Sequence, residues 1–230
     1  MKIAIIPARG GSKRIINKNV KKFCGKPIIA YSIEAAKKSK LFDRIIISTD
    51  SKKIAKIAKK YGGEVPFIRP KSLSGDYTGT AEVIAHAVNL IKEKYNTHIK
   101  VACCIYATAP FIQVKDLHKA WKLFKSGKWN LVFAATSYSY PVFRSFQKKA
   151  NGELRPLYPN HSKKRSQDLN IVLHDAGQFY WAAPNIWIKK KLSFNHQSTV
   201  IELPNWRVQD IDTLEDWKRA ELKYKILRNI

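Results

Sequence analysis

Short apolar runs alternate with amphipathic stretches over the first 136 residues, and this alternation limits the possible folds more than any other feature of the chain. Lys2–Ile6 reads as a buried strand and Arg44–Ser48 as a β-branched one. Val65–Ile68 is expected to be a short strand, Lys100–Ile105 and Leu131–Thr136 longer ones. Between them lie helical patterns at Ile28–Lys38, Ser51–Tyr61, Thr80–Tyr95 and Lys115–Phe124. Pro27 suits the first turn of the first helix, because its missing N–H is not needed there. In the second, Ile54, Ala55, Ile57 and Ala58 share a face, and Gly62-Gly63 supplies a stop.

The order βαβα implies an α/β fold: a Rossmann-like, mostly parallel sheet with helices on both faces. Right-handed crossovers would gather the strand C-termini on one edge, where such sheets bind ligands. After Thr136 the pattern changes. Residues 137–175 mix aromatic residues, Pro, Lys and polar residues without a clear helix, and are expected to form an inserted antiparallel arm. Gly177–Ala183 and Thr199–Leu203 read as further strands. A final amphipathic helix should start at Asp212 or Thr213 and reach about Leu227, with Thr213 and Asp216 spaced like a capping box. No linker divides the chain, so residues 1–230 are expected to be one domain containing the 137–175 insert.

The chain carries 43 Lys+Arg against 17 Asp+Glu, a formal charge of +26. Such a balance raises nucleic-acid binding as one reading. No zinc-finger, homeodomain or RRM signature accompanies it, however, and the 45% apolar content is that of a globular chain. Residues 1–60 alone hold 17 basic and 3 acidic residues, many of them lysines that read as the solvated face of the Ser51–Tyr61 helix. No apolar run approaches the roughly 20 residues of a membrane span, and the opening MKIAIIPARGG is too short for a secretory leader. Cys24, Cys103 and Cys104 are odd in number, two are adjacent, and no Cys/His spacing suits zinc. Buried thiols in a reducing, cytoplasmic compartment are the expectation.

Ile3–Pro7 runs directly into Ala8-Arg9-Gly10-Gly11-Ser12-Lys13-Arg14, with Lys18 and Asn19 close behind. Paired glycines after a strand allow backbone N–H groups to approach a phosphate, and four cations surround them. Neither GxxxxGK[ST] nor GxGxxG is present, which excludes a Walker A loop and counts against a dinucleotide fingerprint.

The stretch IPARGGSKRIINKN followed by GKPIIAYSI resembles the start of the cytidylyltransferases that activate sialic-acid-like nonulosonic sugars. The resemblance continues in order through Arg69-Pro-Lys-Ser-Leu-Ser-Gly-Asp76, Tyr106-Ala-Thr-Ala-Pro110, Arg165-Ser-Gln-Asp168 and Gln209-Asp210-Ile211-Asp212, nearly the whole chain. Tyr106 and the stretch His174-Asp-Ala-Gly-Gln-Phe-Tyr-Trp181 are similar to the pseudaminic acid branch, where the N-acetylneuraminate branch has Gln and an NGxxY-like stretch.

The resemblance implies a fold of nucleotidyltransferase type and transfer of CMP from CTP to the anomeric hydroxyl of an anionic nonulosonic acid, with release of pyrophosphate. It implies CTP contacts from Ala8, Arg9, Gly10, Gly11, Ser12, Lys13, Lys18, Asn19, Arg69, Asp76 and Thr80. Arg9 and Lys18 would neutralise the triphosphate. Tyr106, Thr108, Arg165, Gln167 and Gln178 would meet the sugar, Arg165 suiting its carboxylate through a guanidinium fork. Asp210 and Asp212, two apart and therefore on one face if extended, would hold Mg²⁺ against phosphate oxygens. Asp212 is also one of two options for the base, a metal-bound water being the other. A homodimer formed through the insert, a cytoplasmic location, and a role in cell-surface glycans such as those of glycosylated flagellin are implied as well. N-acetylneuraminic or legionaminic acid is the alternative sugar, and a non-catalytic nucleic-acid-binding protein the alternative of another class.

Other residues read more plainly. Arg69 precedes Pro70 and should be extended. Thr80 suits a helix cap as well as a ligand contact. His174 and Asp175, neighbours in an extended chain, should point to opposite faces and not pair. Trp181, Trp206 and Trp217 are expected to pack.

Overall fold

The computed structural model describes residues 1–189 and 194–228. The strands are β1 (Lys2–Pro7), β2 (Lys22–Phe23), β3 (Lys26–Pro27), β4 (Arg44–Ser48), β5 (Val101–Ile105), β6 (Leu131–Ser137), β7 (Phe146–Lys148), β8 (Leu154–Pro156), β9 (Leu173–Ala182) and β10 (Ser198–Glu202). The helices are α1 (Ile28–Ser39), α2 (Lys52–Lys60), α3 (Thr80–Lys94), α4 (Val114–Lys125), α5 (Pro184–Ile188) and α6 (Leu214–Arg228).

A six-stranded sheet of order β10-β6-β9-β5-β1-β4 forms the centre. All its pairings are parallel except those of β9, which runs antiparallel between β5 and β6. Period two sends successive side chains of each strand to opposite layers. Ala4 and Ile6 of β1 pack with Ile29 and Ile33 of α1, Ile54 and Ala58 of α2, and Leu117 and Ala120 of α4. Ile3 and Ile5 pack on the other face, with Ile84, Val88 and Ile91 of α3 and Trp187 of α5. Each of these fully buried isoleucines is worth about 1.5–3 kcal/mol of transfer free energy, which explains why the central strands are apolar on both faces. A third cluster packs α6, through Trp217 and Ala220, on Phe23, Ile28 and Tyr31.

Local signals account for several boundaries. The Ser51 hydroxyl accepts from the Ile54 N–H at 3.3 Å and caps α2. Lys52, Lys53, Lys56, Lys59 and Lys60 form the exposed face expected of that helix. Thr213 and Asp216 bond reciprocally, Asp216 N–H to Thr213 Oγ1 at 3.1 Å and Thr213 N–H to Asp216 Oδ2 at 2.9 Å, the box that opens α6. Cys103 and Cys104 are buried on β5, burial raises both thiols, and Cys24, Cys103 and Cys104 are thiols outside any disulfide.

Three expectations are corrected. Val65–Ile68 forms no strand: only Glu64 makes an isolated bridge, to Ile46, and Pro66 has no N–H to extend the ladder. Trp206 is 54% exposed, while Trp181 and Trp217 are buried as expected. The strand expected to begin at Gly177 begins at Leu173, because the chain bulges through Gly177 at φ +60° and pairing resumes on either side. The β2–β3 hairpin was not legible as strands. Its turn residues Cys24 and Gly25 both have positive φ, the twist that suits a two-residue hairpin.

Candidate active site

A cleft of about 240 Å³ opens at the C-terminal edge of the sheet, above the ends of β1 and β5. Arg9, Ser12, Lys13, Arg14, Lys18 and Asn19 line one side; Arg69, Gly75, Asp76 and Thr80 line another; Tyr106 and Thr108 form part of the floor. Thus the predicted nucleotide loop, the 69–80 segment and the end of β5 converge, although they are far apart in sequence.

The loop is shaped by polar bonds. Asn19, itself buried, donates from Nδ2 to the Arg9 carbonyl at 2.8 Å. The Gly10 N–H donates to Asp50 Oδ1 at 2.8 Å, and a Cβ on Gly10 would lie 3.1 Å from Ser51 Cβ. Gly10 therefore lets the loop close against the end of β4. Ala8 is buried beneath the loop, and Gly11 is exposed with nothing close to its Cβ position.

The cations of the loop are paired with carboxylates of the same chain. Arg9 Nη1 lies 2.8 Å from Asp76 and donates to the Gly75 carbonyl at 2.9 Å; Lys13 lies 2.7 Å from Asp76. The Lys13 ammonium, with help from Arg9, holds the Asp76 carboxyl below its ordinary range. Arg14 and Lys18 meet Asp212 at 3.0 and 3.2 Å, and Lys18 also donates to the Ile211 carbonyl at 2.7 Å. Lys18 thereby ties the glycine loop to the C-terminal acidic segment. Asp210 stands beside this knot with its pKa raised, first by loss of hydration and then by the charge of Asp212.

Arg69 is 3% exposed, yet among the described residues no carboxylate lies within salt-bridge distance of it. Its Nε donates to Ser74 Oγ at 3.2 Å, and burial lowers its pKa against the opposing charge of Asp50. It lines the cleft as a buried cation and not as a surface ion pair. Gly79, not Thr80, caps α3; Thr80 Oγ1 instead lies 3.3 Å from the Tyr106 hydroxyl.

The family model for cytidylyltransferases matches residues 3–218. The chain belongs to the cytidylyltransferase family. It is 41% identical over 224 residues to the pseudaminic acid cytidylyltransferase of Campylobacter jejuni (strain 81-176), covering 97% of this chain and 96% of that one. It is 38% identical over 210 residues to a Helicobacter pylori protein named as a pseudaminic acid cytidylyltransferase and hydrolase, covering 91% of this chain and 40% of that one. The fold matches CMP:2-keto-3-deoxy-manno-octonic acid synthetase complexed with CTP, at TM-score 0.71 and 13% identity over 100% of this chain and 99% of that one.

Not every residue singled out in this cytidylyltransferase's sequence reaches the cleft. Gln178 is buried beside it, donating from Nε2 to the Arg207 carbonyl at 3.3 Å. Arg165 and Gln167 lie in the 137–175 insert, where Arg165 pairs with Asp168 at 2.8 Å, away from the cleft lining. The insert itself holds the exposed β7–β8 hairpin. His174 and Asp175 do not pair side chain to side chain: His174 Nδ1 meets the Asp175 carbonyl, while the Asp175 carboxylate accepts from the Tyr180 hydroxyl and the Gly177 N–H. Sequence reasoning passed over Asp50, although an aspartate at the C-terminal end of a parallel strand is a recognisable signal. It also passed over Asp116, whose partner Arg207 is distant in sequence, and Tyr180, whose hydroxyl donates to Asp175.

Proposed function

We propose that the chain transfers CMP from CTP to pseudaminic acid, giving CMP-pseudaminic acid and pyrophosphate. The observation that carries this reading is the cation-lined cleft at the sheet edge in a chain 41% identical, over 97% of its length, to a named pseudaminic acid cytidylyltransferase. The sugar's anomeric hydroxyl attacks the α-phosphorus, the bond from that phosphorus to the bridging oxygen breaks, and pyrophosphate leaves. Positioning and charge stabilisation carry most of such a reaction.

In this reading Arg9, Lys13 and Lys18 exchange their carboxylate partners for triphosphate oxygens. Those ion pairs are partly exposed and individually worth little, so the exchange costs little. Arg69, buried without a carboxylate, directs its remaining donors at the nucleotide. Tyr106 and Thr108 face the sugar, and Asp212 is this chain's own group for accepting the hydroxyl proton.

Asp210 and Asp212 fit Mg²⁺. Their repulsion, which contributes to the raised pKa of Asp210, calls for a cation between them. No group of three or more ligating side chains occurs among the described residues, and Mg²⁺ needs only one or two carboxylates when substrate phosphates and water complete its shell. When bound it would neutralise charge on the phosphates. We also place the enzyme in the cytoplasm, where CTP is available, and infer a homodimer in which the insert brings Arg165 and Gln167 to the partner's cleft. The exposed Phe146, Leu154 and Leu157 of the insert support that pairing. No helix among the described residues is long and apolar enough to cross a membrane.

The test is pyrophosphate release from CTP with a panel of purified sugars. Pseudaminic acid should give the highest kcat/KM, above legionaminic and N-acetylneuraminic acids. Higher turnover of either of those would reassign the substrate. Release with none, together with salt-dependent affinity for nucleic acid, would favour the non-catalytic reading.

A further inference from the structure

The end of β4 holds the glycine loop through a single peptide group. The Arg9 carbonyl and the Gly10 N–H belong to one planar unit and point in opposite directions. Asn19 Nδ2 donates to that carbonyl at 2.8 Å, and Asp50 Oδ1 accepts from that N–H at 2.8 Å. The peptide is therefore gripped at both ends. The chain on either side is fixed as well. The Ala8 N–H donates to the Ser48 carbonyl at 2.9 Å, and the Arg9 guanidinium reaches Asp76 and the Gly75 carbonyl. Asp50 stands outside the cleft lining, as does Gly10, and among the described residues no cation lies within salt-bridge distance of Asp50.

Such a grip is needed because the second residue of the unit is glycine. A glycine tolerates either orientation of the peptide before it, since no Cβ disfavours positive φ. A flip would turn the Arg9 carbonyl toward Asp50, acceptor against acceptor, because a carboxylate can only accept. It would also turn the N–H toward the Asn19 amide, donor against donor. The two side chains thus exclude the flipped loop by their chemistry. A side chain at position 10 could resist the flip unaided, but its Cβ would lie 3.1 Å from Ser51 Cβ, tighter than ordinary contact. With the plane fixed, the Arg9 side chain leaves the backbone toward Asp76, the position from which it would meet a triphosphate.

We propose that Asp50 is a positioning residue of the transfer reaction: its hydrogen bond from the Gly10 N–H, opposed by that of Asn19 to the Arg9 carbonyl, holds the peptide in the orientation that delivers the Arg9 guanidinium to the triphosphate. The role belongs to the acceptor oxygen and not to the charge. A carboxylate beneath a triphosphate site repels the ligand, so charge alone would make Asp50 a hindrance. Positioning and electrostatics therefore predict opposite signs for its removal. The inference rests on the proposed reading of the cleft as the CTP site.

The experiment measures kcat/KM for CTP by pyrophosphate release, and CTP affinity by calorimetric titration, on the full-length protein. Wild type is compared with Asp50→Ala, Asp50→Asn, Arg9→Ala and the double variant Asp50→Ala/Arg9→Ala. Alanine and asparagine both remove the charge, and only asparagine keeps an oxygen for the Gly10 N–H. Asp50→Ala should lower both kcat/KM and affinity for CTP about tenfold. Asp50→Asn should bind CTP as tightly as wild type or more tightly. In the Arg9→Ala background, Asp50→Ala should cost about twofold or less, because it acts through Arg9. Three results overturn the inference: Asp50→Ala that binds CTP as tightly as wild type or more tightly, Asp50→Asn as impaired as Asp50→Ala, or losses from Asp50 and Arg9 that add in full. If Asp50→Ala fails to fold, Asp50→Leu, close in shape and without an acceptor, takes its place with the same expectations. Wild type that binds CTP yet releases no pyrophosphate with any nonulosonic acid refutes the transferase reading alone, and the CTP affinities of the variants then decide the role of Asp50. Wild type that does not bind CTP overturns both.

Discussion

The two halves of the polar machinery are built in opposite ways. At the mouth of the cleft, Arg9, Lys13, Arg14 and Lys18 pair with Asp76 and Asp212, carboxylates that keep more than a third of their surface in water. Behind it, Arg207 and Asp116 pair at 2.8 Å with side-chain exposures of 6% and 2%. The Arg207 carbonyl also takes the Gln178 amide, and Val208 leads directly into the Gln209–Asp212 segment. Exposed pairs are weak and exchangeable, whereas a buried pair is costly to break from one side. The contrast suggests a division of labour: the mouth trades partners with an anion, and the buried pair fixes where the acidic segment sits.

The largest test of this contrast is Asp116→Asn. It should lower unfolding stability by about 3–5 kcal/mol, since the Arg207 charge stays buried without its partner; denaturant titration reads this. Arg9→Ala should leave stability nearly unchanged yet cut kcat/KM for CTP about 10²–10³-fold, the usual effect of losing one donor to a developing charge. Steady-state kinetics beside the same denaturant titration separates the two effects. Gly177→Ala should cost about 1–2 kcal/mol through its left-handed backbone, read by the same denaturant titration. Smallest, Lys13→Ala should change stability by about 0–1 kcal/mol, because its pair with Asp76 is solvated. A loss of several kcal/mol there would erase the distinction between mouth and interior.

How much of this was legible in the sequence follows the same division. The β1, β4, β5 and β6 strands and the helices between them were readable, because their apolar residues recur at strand or helix period. The glycine loop with its cations was readable as well, being contiguous. The direction of β9 was not, since pairing partners are set by the whole sheet and not by the strand's own residues. Nor were the Arg207–Asp116 pair and the Thr80–Tyr106 contact, whose members are ordinary polar residues until the fold brings them together across 91 and 26 positions. Arg69 shows the limit from the other side: Pro70 led to the expectation of an extended backbone, whereas its burial depended on the packing of the 69–80 segment.

The central claim, CMP transfer to a nonulosonic acid, is tested most directly by phosphorus NMR of the protein with CTP, Mg²⁺ and pseudaminic acid. The account predicts that the three CTP resonances decline together while one phosphodiester signal and pyrophosphate appear in equal amounts. CTP resonances that persist unchanged, or that give way to CDP and inorganic phosphate, would contradict it.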